Sequence, residues 1–577
     1  MVEHQKPENL ITRLEQTKSI KEANNLIESV TNIVGLFKNE IDLRNFIEYL
    51  KDESFSHNQD IISKEWGDVQ TPNQLVNQIY DILIDIDFNP YILIEATFGL
   101  GHFIQCIPEE FTNLKQVYGV EIQQKHIFHY VASQITQAGS KEISQNNQYT
   151  IRIFQDDIFH HQFAKNIFLD TKANILLIGN PPWVTLSELS SLNSSNLPTK
   201  SNIKGFSGIE AITGRSNFDI AESIITRLLH LFSDHQGKLA FLCKDSVIRN
   251  FVKEIQKTQF PISNIRALKI DARKNFGKNC DASLFLADLI PGLYDDYCNV
   301  SDIESPNQIT RKFGWINEKF VSDIKSYRNY SFLDKLSNYT WRQGVKHDCS
   351  KILELQVERE NQLFNKLNEN LTIEKDLIYP LLKGSNLKKF EVLNTSKRLL
   401  LTQTKLGEDT SYIKERYPKT WNYLSRNKKY FDKRKSRVFQ NKFDFTIFGI
   451  GDYTFSPFKV AIAGLYKTVQ FTFIPPINKK PVLLDDTCYF LGFQAYNEAL
   501  FFCTILNSSV AKGFFKSIVF LNSKRPFTKE ILMRISFSDL ANSLTFNDIQ
   551  SIWDESNFKS KKEISKEDYI KFKKSLI

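Results

Sequence analysis

A chain of 577 residues is longer than one hydrophobic core supports, so two or three domains are expected. Hydrophobic residues at 41% and charged residues at 24% describe an ordinary globular protein, and no apolar run approaches the roughly 18 residues that span a bilayer. The seven cysteines lack a Cys-x-x-Cys pair, which argues against a disulfide framework or zinc site, and the net charge of +8 suits a polyanionic partner.

The start, Met1-Val2-Glu3-His4-Gln5-Lys6-Pro7-Glu8, has no apolar signal-peptide core, so a cytoplasmic location is expected. Residues 1–65 read as an amphipathic helical segment. From 66 to 295 short apolar runs alternate with helical stretches; the runs lie at 91–95, 117–121, 151–154, 174–179, 239–243, 265–270 and 283–289. This alternation predicts βαβ units around a mostly parallel, seven-stranded sheet. A Ser/Asn/Gly-rich stretch between Trp183 and Phe218 reads as a long mobile loop, of a length that in compact domains is usually functional or disordered. After Ile290-Pro291-Gly292-Leu293 the alternation ends, and residues 320–577, rich in aromatic and basic side chains, are expected to form a second domain.

Four consecutive predicted strand ends carry useful chemistry, at the sheet edge where α/β folds bind ligands. The first leads into Glu95-Ala96-Thr97-Phe98-Gly99-Leu100-Gly101-His102-Phe103, whose glycines permit a tight turn and close approach of backbone to ligand. Glu121 ends the second, where an acidic residue contacts ribose hydroxyls. Asp156-Asp157-Ile158 follows the third, and Asn180-Pro181-Pro182-Trp183 the fourth. Asn brings an amide oxygen, the prolines leave carbonyls without a neighbouring N–H, and Trp adds a flat face. That set suits gripping a planar amino group while its ring is stacked. Alone, the same residues make an ordinary turn after a buried strand.

Together these motifs resemble the S-adenosylmethionine-dependent adenine-N6 DNA methyltransferases, in the branch with cofactor motifs first and a C-terminal target-recognition domain, over roughly residues 66–545. The resemblance implies a Rossmann-like catalytic domain followed by an α+β target-recognition domain. It assigns Thr71 to the methionine end of the cofactor. Glu95, Gly99, Gly101 and Phe103 match the glycine loop, with Glu95 and Ala96 where the family carries Asp-Pro. Glu121 would take the ribose hydroxyls. Asp157, with Asp156 competing, would take the adenine amino group, and Ile158 would lie against its ring. Asn180 would both border the cofactor and, with the Pro181 carbonyl, accept hydrogen bonds from the target amine. Pro182 and Trp183 complete that motif. Trp183 and Phe276 would stack on a base flipped out of double-stranded DNA, and no metal is implied. Asn217-Phe218-Asp219 resembles the motif bordering the methionine end, although Asp219 is equally a helix cap.

In the second domain the run Lys428 to Arg437 and the segments 379–384, 449–459 and 506–509 resemble pieces of target-recognition domains, with basic residues suited to phosphates. A monomer is expected, with a separate restriction endonuclease as a further partner and no membrane. The alternatives are a cytosine-N4 DNA, RNA or protein-glutamine methyltransferase, or a catalytically idle DNA-binding subunit. Intact Gly99, Gly101, Glu121, Asn180 and Trp183 argue against the last.

Overall fold

The run Ile175-Leu176-Leu177-Ile178-Gly179 is buried at every position, because its strand has both faces covered and so reads as continuous rather than alternating hydrophobicity. In the computed structural model, which describes residues 7–51, 69–138, 149–164, 167, 172–184, 219–358, 362–558 and 564–576, this strand is β4 of a ten-stranded sheet. The strands are β1 (Ile92–Glu95), β2 (Gln116–Glu121), β3 (Thr150–Gln155), β4 (Ile175–Gly179), β5 (Gly237–Lys244), β6 (Ile262–Ile270), β7 (Ala282–Leu289), β8 (Tyr297–Asp302), β9 (Arg311–Ile316) and β10 (Lys319–Val321). Their order is β10-β9-β8-β6-β7-β5-β4-β1-β2-β3. The sequence predicts seven strands; the three beyond them, β8 to β10, follow the point where apolar alternation stops. Their composition, such as Tyr-Cys-Asn-Val-Ser-Asp in β8, is too polar and irregular to announce a strand.

Strands β3, β2, β1, β4 and β5 run parallel, while β7 is antiparallel to both β5 and β6. The chain steps outward from β1 through β2 to β3, then returns to place β4 on the other side of β1. That reversal opens a crevice at the carboxyl ends of β1 and β4, the usual ligand position in such sheets.

Three N-terminal helices, α1 (Pro7–Glu15), α2 (Ile20–Thr31) and α3 (Glu40–Lys51), belong to the same compact unit, Met1–Phe320. Ile33 pairs with Ile151 of β3, and Phe46 packs 5.1 Å from Phe128, so this segment covers the sheet edge that β3 would otherwise expose. The helices that follow are α4 (Asn73–Asp85), α5 (His102–Gln105), α6 (Gln124–Ala138), α7 (Ile220–Leu231), α8 (Asp245–Thr258) and α9 (Ala272–Phe276).

Gly101 starts α5 at φ +74°, and a Cβ there would lie 2.4 Å from the Phe98 ring and 2.6 Å from the Tyr130 ring. Both rings are buried. Gly101→Ala is therefore expected to lower stability by about 2–4 kcal/mol, read as an earlier urea unfolding midpoint.

The second unit, Val321–Ile577, holds a six-stranded sheet and a four-stranded sheet. In the latter, the strand Phe458–Ala463 pairs with Cys488–Phe493 and Thr472–Ile474. Several basic residues expected at phosphates are engaged by the unit itself. Arg434 donates to the Thr446 carbonyl at 2.6 Å and lies 3.9 Å over the Phe439 ring. Lys428 pairs with Asp444, Lys383 sits 2.8 Å from Glu354, and Lys459 is buried. Lys429, Lys433, Lys435 and Arg437 remain exposed. Among the described residues no helix is long and apolar enough to cross a membrane.

Candidate active site

A cavity of about 1020 Å³, open mouth included, lies at the carboxyl ends of β1, β2, β3 and β4. Ala96, Thr97 and Gly99 line it after β1, Glu121, Ile122 and Gln123 at β2, and Asp156, Asp157, Ile158 and Phe159 after β3. Asn180, Pro181, Pro182, Trp183 and Val184 follow β4, and Val69, Ile220 and Ile224 complete the wall. Among the described residues, the lining includes no Lys, Arg or His.

The glycine loop is held by the strand beside it. Gly99 N–H donates to Glu121 Oε2 at 2.7 Å, and Gln123 N–H donates to Glu121 Oε1 at 2.8 Å. Glu121 is thus fixed at the cavity wall with lone pairs left on both oxygens. Gln70 Oε1 accepts from Leu100 N–H at 3.0 Å, closing the loop from the other side. Asp157 Oδ1 accepts from Phe159 N–H at 2.9 Å and Oδ2 lies 2.9 Å from the His160 ring nitrogen. Asp156 accepts from Asp157 N–H at 2.8 Å and lies 3.0 Å from the His161 ring nitrogen. Both carboxylates reach the wall.

At β4 the arrangement is asymmetric. Asn180 Nδ2 donates to the Val69 carbonyl at 3.0 Å, which fixes the amide orientation, because a carbonyl cannot pair with Oδ1. Asn180 Oδ1 is left buried with no hydrogen-bond partner. An unsatisfied buried acceptor costs about 1–3 kcal/mol, so it marks a place for a donor on a ligand. Thr97 Oγ1 on the same wall is likewise buried and unpartnered.

Trp183 is nearly buried, with its indole N–H donating to the Leu242 carbonyl at 3.2 Å. Phe276, at the end of α9, meets it edge to face at 5.0 Å. The two rings are therefore together but touching, rather than framing an open slot, and Phe276 lies behind Trp183 instead of on the cavity wall. Hydrophobic packing explains this: both rings belong to the core that backs the sheet.

Three other expected contacts are absorbed by the fold. Phe103 is buried 6.5 Å from the Tyr80 ring, and its carbonyl accepts from Tyr80 O–H at 2.6 Å. The Thr71 carbonyl accepts from His102 Nδ1 at 2.6 Å, tying the start of α4 to α5. Gly101 makes room for Phe98 and Tyr130. Glu95 sits just beneath the wall, 2% exposed, with Oε2 unpartnered. Burial, then the Glu121 charge, pushes its carboxyl well above the usual carboxylate range.

Asp219 caps α7, accepting from Ala221 N–H at 3.2 Å while Lys244 Nζ lies 2.8 Å from its other oxygen. Burial raises its carboxyl despite that lysine. Asn217, Phe218 and most of the stretch after Trp183 lie outside the described residues. Val69 and Thr97 carry no sequence signal of their own: Val69 is 111 positions from the amide it holds.

A glycine loop, a fixed acid, strand-end carboxylates and orphaned acceptors fit S-adenosylmethionine, which brings hydroxyls, an amino-purine and a cationic amino-acid end. No protein-family model matches the chain. The type II methyltransferase M.NspV of Nostoc sp. is 38% identical over 490 residues, spanning 84% of this chain and 99% of its own. Among solved structures, the type IIL restriction-modification enzyme MmeI in complex with DNA aligns with 99% of this chain and 82% of its own, at 11% identity and a TM-score of 0.47. The DrdV–DNA complex aligns with 97% of this chain and 60% of its own, at 9% identity and a TM-score of 0.43. Likenesses that remote carry no weight for function. With 38% identity across nearly the whole of the Nostoc relative, the chain belongs to the type II methyltransferase family.

Proposed function

We propose that the protein is a site-specific DNA methyltransferase of a restriction–modification system, acting on the N6 amino group of an adenine flipped out of double-stranded DNA. The observation that carries this reading is the buried, unpaired Oδ1 of Asn180, a residue of the cavity wall whose Nδ2 is bonded to the Val69 carbonyl. It is an acceptor prepared for an N–H donor that the chain itself does not supply.

S-adenosylmethionine, when bound, supplies an electrophilic methyl group on a cationic sulfur. Glu121 binds its ribose hydroxyls, Asp157 its adenine amino group, and Ile158 packs on that ring. Asn180 Oδ1 and the Pro181 carbonyl take the two N–H bonds of the target amine. This grip orients the nitrogen lone pair and favours the charge that develops as it is methylated. The proton then leaves to water, so no tuned general base is needed. Extruding a base costs a few kcal/mol, and stacking on Trp183 offsets it by about 1–3 kcal/mol. Phe276 braces the Trp183 ring, and the Leu242 carbonyl fixes its plane.

Transfer of tritiated methyl to duplex DNA, followed by nucleoside analysis, tests the reading. Label in N6-methyladenine is expected. Label in N4-methylcytosine, or in protein or RNA instead of DNA, would overturn it.

A further inference from the structure

Glu95 Oε2, Thr97 Oγ1 and Asn180 Oδ1 are all buried without hydrogen-bond partners. They gather where β1 and β4 end side by side. A Cβ built on Gly179 would sit 3.5 Å from Thr97 Oγ1 and 3.8 Å from Glu95 Cγ. A carboxyl and a hydroxyl in one place, with no basic side chain among the described residues of the cavity wall, form a subsite for a ligand that brings N–H donors and positive charge.

The charge state of Glu95 is then a matter of what surrounds it. Among the described residues, Glu121 of β2, Tyr80 of α4, Tyr130 of α6 and Cys106 just after α5 are the titratable groups that face it. None of them carries positive charge. One Ile104 backbone N–H favours the anion, but burial and the Glu121 charge outweigh it, and the acid form is favoured. An isolated buried carboxylate with no cation is costly, and taking up a proton relieves that cost.

We propose that Glu95 holds a proton in the free enzyme and gives it up to solvent when the cationic end of the cofactor comes to rest against Thr97 beside it. The inference rests on S-adenosylmethionine being the cofactor. In the exchange the carboxyl O–H bond breaks, a buffer base takes the proton, and the new carboxylate balances the ligand's positive charge. No electrons are transferred. Binding thereby replaces one positive charge with another, and the interior carries no uncompensated anion in either state. The sign follows by linkage: the free enzyme holds more protons than the complex, so cofactor affinity rises with pH while free Glu95 remains protonated.

Isothermal titration calorimetry of the full chain with S-adenosylmethionine, in two buffers of different ionisation enthalpy near about pH 6.5 where the ligand's own ammonium stays charged, counts the protons released. Close to one proton is expected for the wild type and close to none for Glu95→Gln. The wild-type dissociation constant is expected to fall as pH rises above the usual carboxylate range, and that of Glu95→Gln to stay flat. Should the variant fail to fold, infrared difference spectra of the wild type decide: the protonated-carboxyl C=O band is expected to vanish on cofactor addition. Buffer-independent heats, a variant that still releases the proton, or no such band would overturn the proposal. No binding of S-adenosylmethionine at all would instead refute the cofactor assignment beneath it.

Discussion

Asn180→Ala is expected to cut methyl transfer by about 10²–10³-fold while cofactor affinity changes by less than about tenfold, a split that follows from removing a preorganised group aimed at the reacting atom. The amide does two jobs at once. Its Nδ2 satisfies the Val69 carbonyl at 3.0 Å, and that bond leaves Oδ1 as the unpaired acceptor of a residue on the cavity wall. Alanine removes the acceptor and strands the Val69 carbonyl, but it touches neither Glu121 nor Asp157, which sit at the ends of other strands. Asn180→Asp is a sharper variant. It keeps an oxygen at Oδ1 yet puts a second one against the Val69 carbonyl, so the side chain must turn away or hold a proton. Single-turnover transfer to DNA, measured beside calorimetric cofactor binding, checks both variants. Equal losses of affinity and rate, or undiminished transfer, would sink the role assigned to this amide.

Lys459→Met is expected to stabilise the second unit by roughly 3 kcal/mol at about pH 6 and to remove a rise in stability between about pH 7 and 10. Lys459 is 1% exposed, donates to the Ser456 carbonyl at 2.6 Å and lies 5.8 Å from the Phe490 ring. Burial pushes its ammonium down to about 7. In the unfolded chain the same group titrates near about 10.4. Between those values the unfolded state binds the proton and the native state does not, so stability climbs by about 1.4 kcal/mol per pH unit. Below the folded value both states are charged, and the native state bears the full burial cost. Methionine has similar length and no charge, so it removes that cost, less the hydrogen bond to Ser456. Calorimetric melting of the full chain and the variant at about pH 6 and 9 measures the difference. A variant no more stable at the lower pH would mean the ammonium reaches water.

This lysine also limits the reading of the second unit from its sequence. A basic residue among aromatics looks the same whether it faces phosphates or is buried, and only packing separates Lys459 and Arg434 from the exposed Lys433, Lys435 and Arg437.

The parallel strands β1 to β5 and the order of their ends are legible in the residues alone. Runs such as Ile175–Gly179 are apolar because both faces of a parallel sheet are covered, and that constraint is written in consecutive residues. Glycine, acid, acid and Asn-Pro-Pro-Trp then fall at one edge as a matter of topology, with no need to know any side-chain contact. Only the tertiary structure decided which of those residues face the cavity. Gly99 and Gly101 are two positions apart, yet one lines the wall and the other makes room for Phe98 and Tyr130. Phe103 and Phe276 look like ligand contacts and are packed into the core, while Val69 and Thr97 look like nothing and reach the wall. Periodicity and turn chemistry act over a few residues, whereas the bond that orients Asn180 and the burial that raises the Glu95 carboxyl depend on groups far along the chain, set side by side only by the fold.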